Sequence, residues 1–206
     1  MTNVKLFFKV TSVPITALLK RQMKVTVLNG NPDTSNHAFD DYLKNLAESL
    51  TASNHAVDIL NLRDMNIRYC VGCWGCWVKT PGQCAARDDL QDVTRAYIDS
   101  DFVLFASPVI MGFPSALLKK VQEKAALSLL LPYFEHVNNE VHHIGRYPRY
   151  PAIGVLLEKS GTCDDEDINI ISDIYGRFAI NVKTACRFTR LTSDPVKEVA
   201  DEINHL

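Results

Sequence analysis

No stretch of this 206-residue chain approaches the roughly 20 consecutive apolar residues needed to span a bilayer. The run Leu6-Phe7-Phe8 is too short for the core of a signal peptide, and Lys9 interrupts it. A charge excess is also missing. The 22 Lys and Arg against 24 Asp and Glu leave a net charge of −2, so no basic field gathers nucleic acid or an acidic membrane. Neither Gly-x-Gly-x-x-Gly nor Gly-x-x-x-x-Gly-Lys-Ser/Thr occurs, which excludes the glycine-fingered dinucleotide site and the Walker loop. No Ser/His/Asp set or paired-carboxylate site is legible. Six cysteines are too few for a small secreted disulfide scaffold, and four of them share one short loop where chain-closing bridges would contribute little. The expectation is a soluble protein of the reducing cytoplasm with no membrane or nucleic-acid partner.

What is present is a large core. With 47% hydrophobic and 22% charged residues, the chain can bury one sizeable interior and is expected to form a single domain over residues 23–206. Residues 1–22 read as an N-terminal extension outside the core or an arm packed at its edge, and Met23 could itself start translation. From Met23 onward strand and helix patterns alternate. Val25-Thr26-Val27-Leu28 is a β-branched run, followed at helical spacing by Phe39, Leu43, Leu46 and Leu50. Val57–Leu60 gives a second strand. Leu90, Val93 and Tyr97 mark a helix behind Asp88-Asp89 as its cap, and Phe102–Ala106 is an apolar run suited to burial on both sheet faces. Ser115 caps a helix whose stripe is Leu117, Leu118, Val121 and Ala125. Ile153–Leu157, a helix from Asp165 to Phe178, a strand around Ala185–Phe188 and a helix opened by Pro195 complete five βα units. The fold class is therefore α/β, a doubly wound five-stranded parallel sheet with ligands at the carboxyl ends of its strands.

The polar and glycine residues gather at those ends. Gly30-Asn31-Pro32-Asp33-Thr34-Ser35-Asn36 places small hydroxyl and amide groups at a helix N-terminus, where free N–H groups and the helix dipole favour a phosphate. An ordinary turn with a Ser/Asn cap explains the same composition. Ser107-Pro108-Val109-Ile110-Met111-Gly112-Phe113-Pro114-Ser115 is an apolar loop with more hydrophobes than a turn needs, as an aromatic ring lying on it would explain. Between the second strand and the next helix, Cys70, Cys73 and Cys76 stand two residues apart and Cys84 follows after seven more. Such spacing can wrap a loop around an iron–sulfur cluster. The turn Pro81-Gly82 could bring Cys84 back to the others.

Together, the loop Gly30 to Asn36, the cysteine segment ending in Asp88-Asp89, and Ser107-Pro108 through Lys119 resemble the NAD(P)H-dependent FMN reductase and iron–sulfur flavoprotein families of flavodoxin-like fold. The resemblance covers residues 23–130 by motif and the remainder by strand–helix rhythm. It implies that Ser35 and Asn36, with the backbone of Gly30, Asn31 and Pro32 and with His37, hold the phosphate of FMN. Ser107, Pro108, Val109, Ile110, Met111 and Gly112 would line the isoalloxazine ring, and Lys159-Ser160-Gly161-Thr162 would close its other edge. Members often carry an aromatic residue where Ile110 or Met111 stands, so Trp74, Trp77 and Phe113 are candidate substitutes. Packing over a loop explains each tryptophan equally well.

In the iron–sulfur flavoproteins such a cysteine run ligates a [4Fe-4S] cluster, which implies Cys70, Cys73, Cys76 and Cys84 as soft anionic ligands. Free or disulfide-forming thiols and a structural zinc remain alternatives, the zinc disfavoured by the missing second Cys-x-x-Cys pair. Cys163 and Cys186 read as bystanders. The implied reaction passes hydride from NAD(P)H to flavin, with electrons leaving singly through the cluster or as a pair to a small-molecule acceptor or a redox protein. A non-catalytic electron carrier or redox sensor, or a zinc-stabilised interaction domain, are the alternatives. A homo-oligomer is expected, because flavin sites in this fold family often lie near a dimer interface. In the connection from Leu131 to Pro151, read as a solvated or dimer-packing loop, His142 and His143 lack a third ligand for a metal, and Arg146 and Arg149 are candidate contacts for a nicotinamide-nucleotide phosphate.

Overall fold

The computed structural model describes residues 21–161 and 163–206, so the expected extension lies, but for Arg21 and Gln22, outside the described residues. Five parallel strands, β1 (Lys24–Asn29), β2 (Ala56–Asn61), β3 (Phe102–Ile110), β7 (Ala152–Glu158) and β8 (Cys186–Leu191), lie in the order β2-β1-β3-β7-β8. All four neighbouring pairs are parallel, as the alternation of strand and helix requires. The order reverses direction between β1 and β3, which opens a crevice at their carboxyl ends.

Alternation along the strands divides the interior into two layers. Val103 and Phe105 of β3 and Ile153, Val155 and Leu157 of β7 meet α3 (Leu90–Asp99), α4 (Ala116–Leu129) and α5 (Asp165–Asn181). Phe102, Leu104 and Leu156 point the other way and meet α1 (His37–Ala52) and α6 (Val196–Asn204). Helices thus cover both faces, and the central strands are buried along most of their length, β3 emerging at Ile110. Among the described residues no helix is long and apolar enough to cross a membrane.

Two hairpins are additions that the five-strand expectation did not contain. Strand β3 runs on to Ile110, turns through Met111 and Gly112, both in the left-handed region (φ 51° and 79°), and returns as β4 (Phe113–Pro114). The connection expected to be a loop instead forms an antiparallel hairpin, β5 (Leu130–Val137) with β6 (Glu140–Gly145). Its turn, Asn138-Asn139, has φ of 49° and 66°, the conformation that two-residue hairpins require and asparagine tolerates.

Candidate functional site

The loops after β1 and β3 are bonded to each other at the reversal of strand order. The Gly30 N–H donates to the Ala106 carbonyl at 2.8 Å, and the Ser115 hydroxyl donates to the Gly30 carbonyl while its oxygen accepts the Leu118 N–H, capping α4 as expected. Gly30 is obligatory here for space. A Cβ on it would lie 2.8 Å from the Leu118 Cβ and 3.1 Å from the Ala106 carbonyl oxygen.

Beneath the first loop lies a polar network that sequence reasoning missed. The Asp40 carboxylate accepts from Asn29 Nδ2 (2.9 Å), Asn31 Nδ2 (3.1 Å) and both Arg63 terminal nitrogens (3.1 and 2.8 Å). Asn29 Oδ1 accepts the Asn31 N–H, and Asn31 Oδ1 accepts the Asp33 N–H, so the side chains prescribe the loop backbone. Burial alone would raise the Asp40 pKa, but the hydrogen bonds from Arg63, Asn29 and Asn31 and the Arg63 charge outweigh it and hold the carboxyl below its usual range. Since the folded-state pKa is depressed, this stabilisation is complete above the unfolded value, about pH 4, and is lost as pH falls through the folded value. Urea midpoints measured from pH 7 down to pH 2 are expected to fall more steeply below about pH 4 for the natural chain than for Asp40→Asn, which is less stable at pH 7; parallel profiles would refute the linkage.

The residues expected to take the phosphate lie in the loop between β1 and α1, and each has partners of its own. Asn36 caps α1 by accepting the Phe39 N–H at 3.3 Å, while its Nδ2 donates to Glu158 at 2.6 Å. Ser35 donates its N–H (2.8 Å) and its hydroxyl (2.7 Å) to Oδ1 of Asp33, and these bonds hold the Asp33 carboxyl below its usual range. A carboxylate therefore rests on donors of the kind a phosphate would take. The composition of the loop supports both the cap reading and an anion seat.

Above this loop the β3–β4 turn presents an apolar edge to solvent. Met111 is 89% and Phe113 57% exposed, and Ile110 stands beside them. Ser107 and Val109 are buried, and the Ser107 hydroxyl oxygen accepts the Ser115 N–H, so these two support the platform from below. Gly112 lets the turn approach α5, since a Cβ on it would lie 2.8 Å from the Asp167 carboxylate. Gly161 is exposed with open space around it; Thr162 lies outside the described residues.

The four expected cysteines line one cavity of about 200 Å³, together with Arg68, Trp74, Ala85, Lys124 and Leu127 among others. Left-handed residues at Gly72 and Trp74 (φ 64° and 56°) bend the chain around it, ahead of the short helix α2 (Gly75–Val78). Pro81-Gly82 makes the expected return, with the Gly82 N–H donating to the Cys76 carbonyl at 2.9 Å. Gly75 then lets the chain pass closely, because a Cβ on it would lie 2.9 Å from the Ala85 Cβ. Burial, and next the nearby Cys84, Cys70 and Cys73, push the Cys76 thiol up. All six cysteines are free thiols, and among the described residues no group of three or more His, Cys, Asp or Glu is drawn together to hold a metal ion. Four soft donors around one cavity still suit iron in chemistry and number.

Several secondary expectations change. Trp77 donates its indole N–H to the Leu127 carbonyl and packs, tilted, between Trp74 and His143, at centroid distances of 4.7 and 4.9 Å, so its role here is packing of the cysteine loop on the hairpin. His142 bonds Asn181 and Glu140. Arg146, a candidate phosphate contact, donates instead to the carbonyls of Ser128, Leu130 and Cys76, and Arg149 pairs with Asp101. Asp89 stands at the N-cap of α3 without a side-chain cap bond; Asp88 accepts the Leu90 N–H and forms a buried ion pair with Lys124. Lys124 was legible only as a lysine next to the apolar stripe of α4, three residues after Val121.

A sequence model of the NADPH-dependent FMN reductase family matches residues 23–140. Among curated proteins, two iron–sulfur flavoproteins of Archaeoglobus fulgidus are similar. One is 26% identical over 111 residues, 54% of this chain and 53% of that protein; the other is 29% identical over 139 residues, 68% of this chain and 60% of that protein. The matched stretch thus spans little more than half the length of these relatives. Among solved structures, an NAD(P)H:quinone oxidoreductase from Methanothermobacter marburgensis superimposes with a TM-score of 0.60 at 16% identity, covering 89% of this chain and 91% of that one. An FMN-dependent NADH-azoreductase from Bacillus anthracis in complex with FMN gives 0.55 at 14% identity over 88% and 94%. At such identity these structures show a shared fold.

Proposed function

The chain belongs to the NADPH-dependent FMN reductase family, and from that premise we propose that it is an FMN-dependent oxidoreductase that draws electrons from NAD(P)H and delivers them to a small-molecule acceptor or a redox protein, with a cluster held by its cysteine loop. The observation that carries this reading is the coupling of the β1 and β3 loops at the reversal of strand order, beneath an exposed apolar platform. FMN, when bound, supplies acceptance of a hydride and release of its electrons singly or in pairs. The chain's part is to seat the phosphate on the Ser35 and Asn36 loop and to offer Ile110, Met111 and Phe113 as the apolar surface for the ring.

Cys70, Cys73, Cys76 and Cys84 would hold a [4Fe-4S] cluster, which supplies one-electron transfer. Free thiols and a reducing cytoplasm suit that role. The exposure of Met111 and Phe113 suits closure by a second subunit.

Anaerobically purified protein is expected to show a flavin spectrum, with about four iron and four sulfide per chain. FMN without iron would leave a flavin reductase with a thiol-lined cavity, zinc without flavin would favour a zinc-stabilised interaction domain, and no flavin after reconstitution would overturn the proposal. NAD(P)H consumption with a quinone separates the enzyme from a carrier reduced only by a protein donor.

A further inference from the structure

The cysteine loop is closed by a device that none of its own residues supplies. Its two stems run side by side. The Asn66 N–H donates to Asp89 Oδ2 at 2.7 Å, the Asp89 N–H donates to the Asn66 carbonyl at 3.1 Å, and the Arg68 N–H donates to Asp88 Oδ2 at 2.9 Å. Across both stems reaches Lys124 from α4. Its ammonium donates to the Arg68 carbonyl at 2.9 Å and to Asp88 Oδ2, with side-chain exposures of 2% for Lys124 and 0% for Asp88. Residues 69–87, which carry all four thiols, hang between these anchors, and Lys124 itself lines their cavity.

We propose that Lys124 is the positioning residue of the four-thiol cavity: it clamps Arg68 and Asp88, the residues that flank the loop, to α4 and so presets the cavity that the thiols line. The inference rests on the cavity being the functional thiol site of the proposed oxidoreductase. A buried ion pair is a costly way to stabilise a fold, because desolvation offsets much of its attraction, whereas its geometry is specific. Here that geometry joins three pieces of chain that no sheet or helix bonding joins: the stem after β2, the stem before α3, and α4. The lysine is not a thiol activator in this arrangement, since its charge is already met by a carboxylate. Fixing both ends also removes loop freedom that binding a cluster would otherwise have to remove.

The test compares the natural chain with Lys124→Met/Asp88→Asn, which removes both charges and keeps one side-chain oxygen for the Arg68 N–H, giving up the bond from the Leu90 N–H. Full-length apoprotein, kept reduced, is alkylated with iodoacetamide, and the rate at each cysteine is read by peptide mass spectrometry. Cys76 and Cys84, half-buried, are expected to react about tenfold faster in the variant, while Cys163 and Cys186 keep their natural rates and FMN affinity is unchanged. Iron and sulfide retained after anaerobic reconstitution should fall in parallel. Unchanged rates at Cys76 and Cys84 would overturn the proposal, and so would equal acceleration at all six cysteines, which would mean that the pair serves the whole fold. If the natural chain takes up no iron, the cluster reading fails while the alkylation pattern still decides the role of Lys124.

Discussion

Gly30→Ala is expected to weaken FMN binding about a hundredfold in a chain that still folds. The added methyl carbon would sit 2.8 Å from the Leu118 Cβ, 3.0 Å from the Ser115 hydroxyl and 3.1 Å from the Ala106 carbonyl oxygen. None of these is the free end of a flexible side chain. Relief requires the β1 loop to lift away from the start of α4, which breaks the Gly30 N–H bond to Ala106 and the Ser115 bond to Gly30. Overpacking of this kind costs about 1–3 kcal/mol of stability, a loss the large buried core can absorb. On the proposed flavin placement binding suffers more, because the β1 loop and the β3–β4 turn are held in register by those two bonds, and a displacement of about an ångström would spoil both contacts at once. Quenching of flavin fluorescence on titration reads the affinity, and a urea midpoint reads the fold. An FMN affinity within threefold of the natural chain would show that the flavin does not bridge these loops.

Asp33→Asn is expected to act in the opposite direction, tightening FMN about tenfold. The Asp33 carboxylate takes both the N–H and the hydroxyl of Ser35, and those bonds hold it below the usual carboxylate range, so it stands as a full negative charge at neutral pH. Glu158 occupies the Asn36 amide behind it, and the loop from Gly30 to Asn36 holds no Lys or Arg. A phosphate monoester of about −1.5 to −2 charge must therefore displace a resident anion and then tolerate it nearby. The asparagine keeps an oxygen for Ser35 and removes the charge, so the turn survives and the repulsion does not. Riboflavin, which has the ring but no phosphate, is the control: its affinity should not change. Equal effects on both flavins, or none on either, would remove Asp33 from the phosphate seat.

These two substitutions also mark where sequence reasoning reached and where it stopped. The three central strands were legible because Val25–Leu28, Phe102–Ala106 and Ile153–Leu157 are apolar but for Thr26, which burial on both sides explains. The caps Asn36 and Ser115 were legible because their bonds reach only three residues along the chain. The hairpin β5–β6 was missed although Asn138-Asn139 is a turn signal, since Pro132 and the irregular pairing near Leu130 blur the strand period around it.

What the sequence determined by itself is local or periodic: the alternation of strand and helix of the α/β class, the small polar residues of the loop after β1, the apolar run after β3, and the spacing of Cys70, Cys73, Cys76 and Cys84. What only the tertiary structure decided is which distant groups meet. Asp40 gathers Asn29, Asn31 and Arg63 under the loop after β1, Arg146 reaches from the hairpin to the Cys76 carbonyl, and Lys124 joins Arg68 and Asp88 to α4. Periodicity records whether a side chain faces the interior but not which partner waits there. A buried lysine and a solvated one have the same letter, and they differ only when folding takes water away and leaves a carboxylate and a carbonyl in its place.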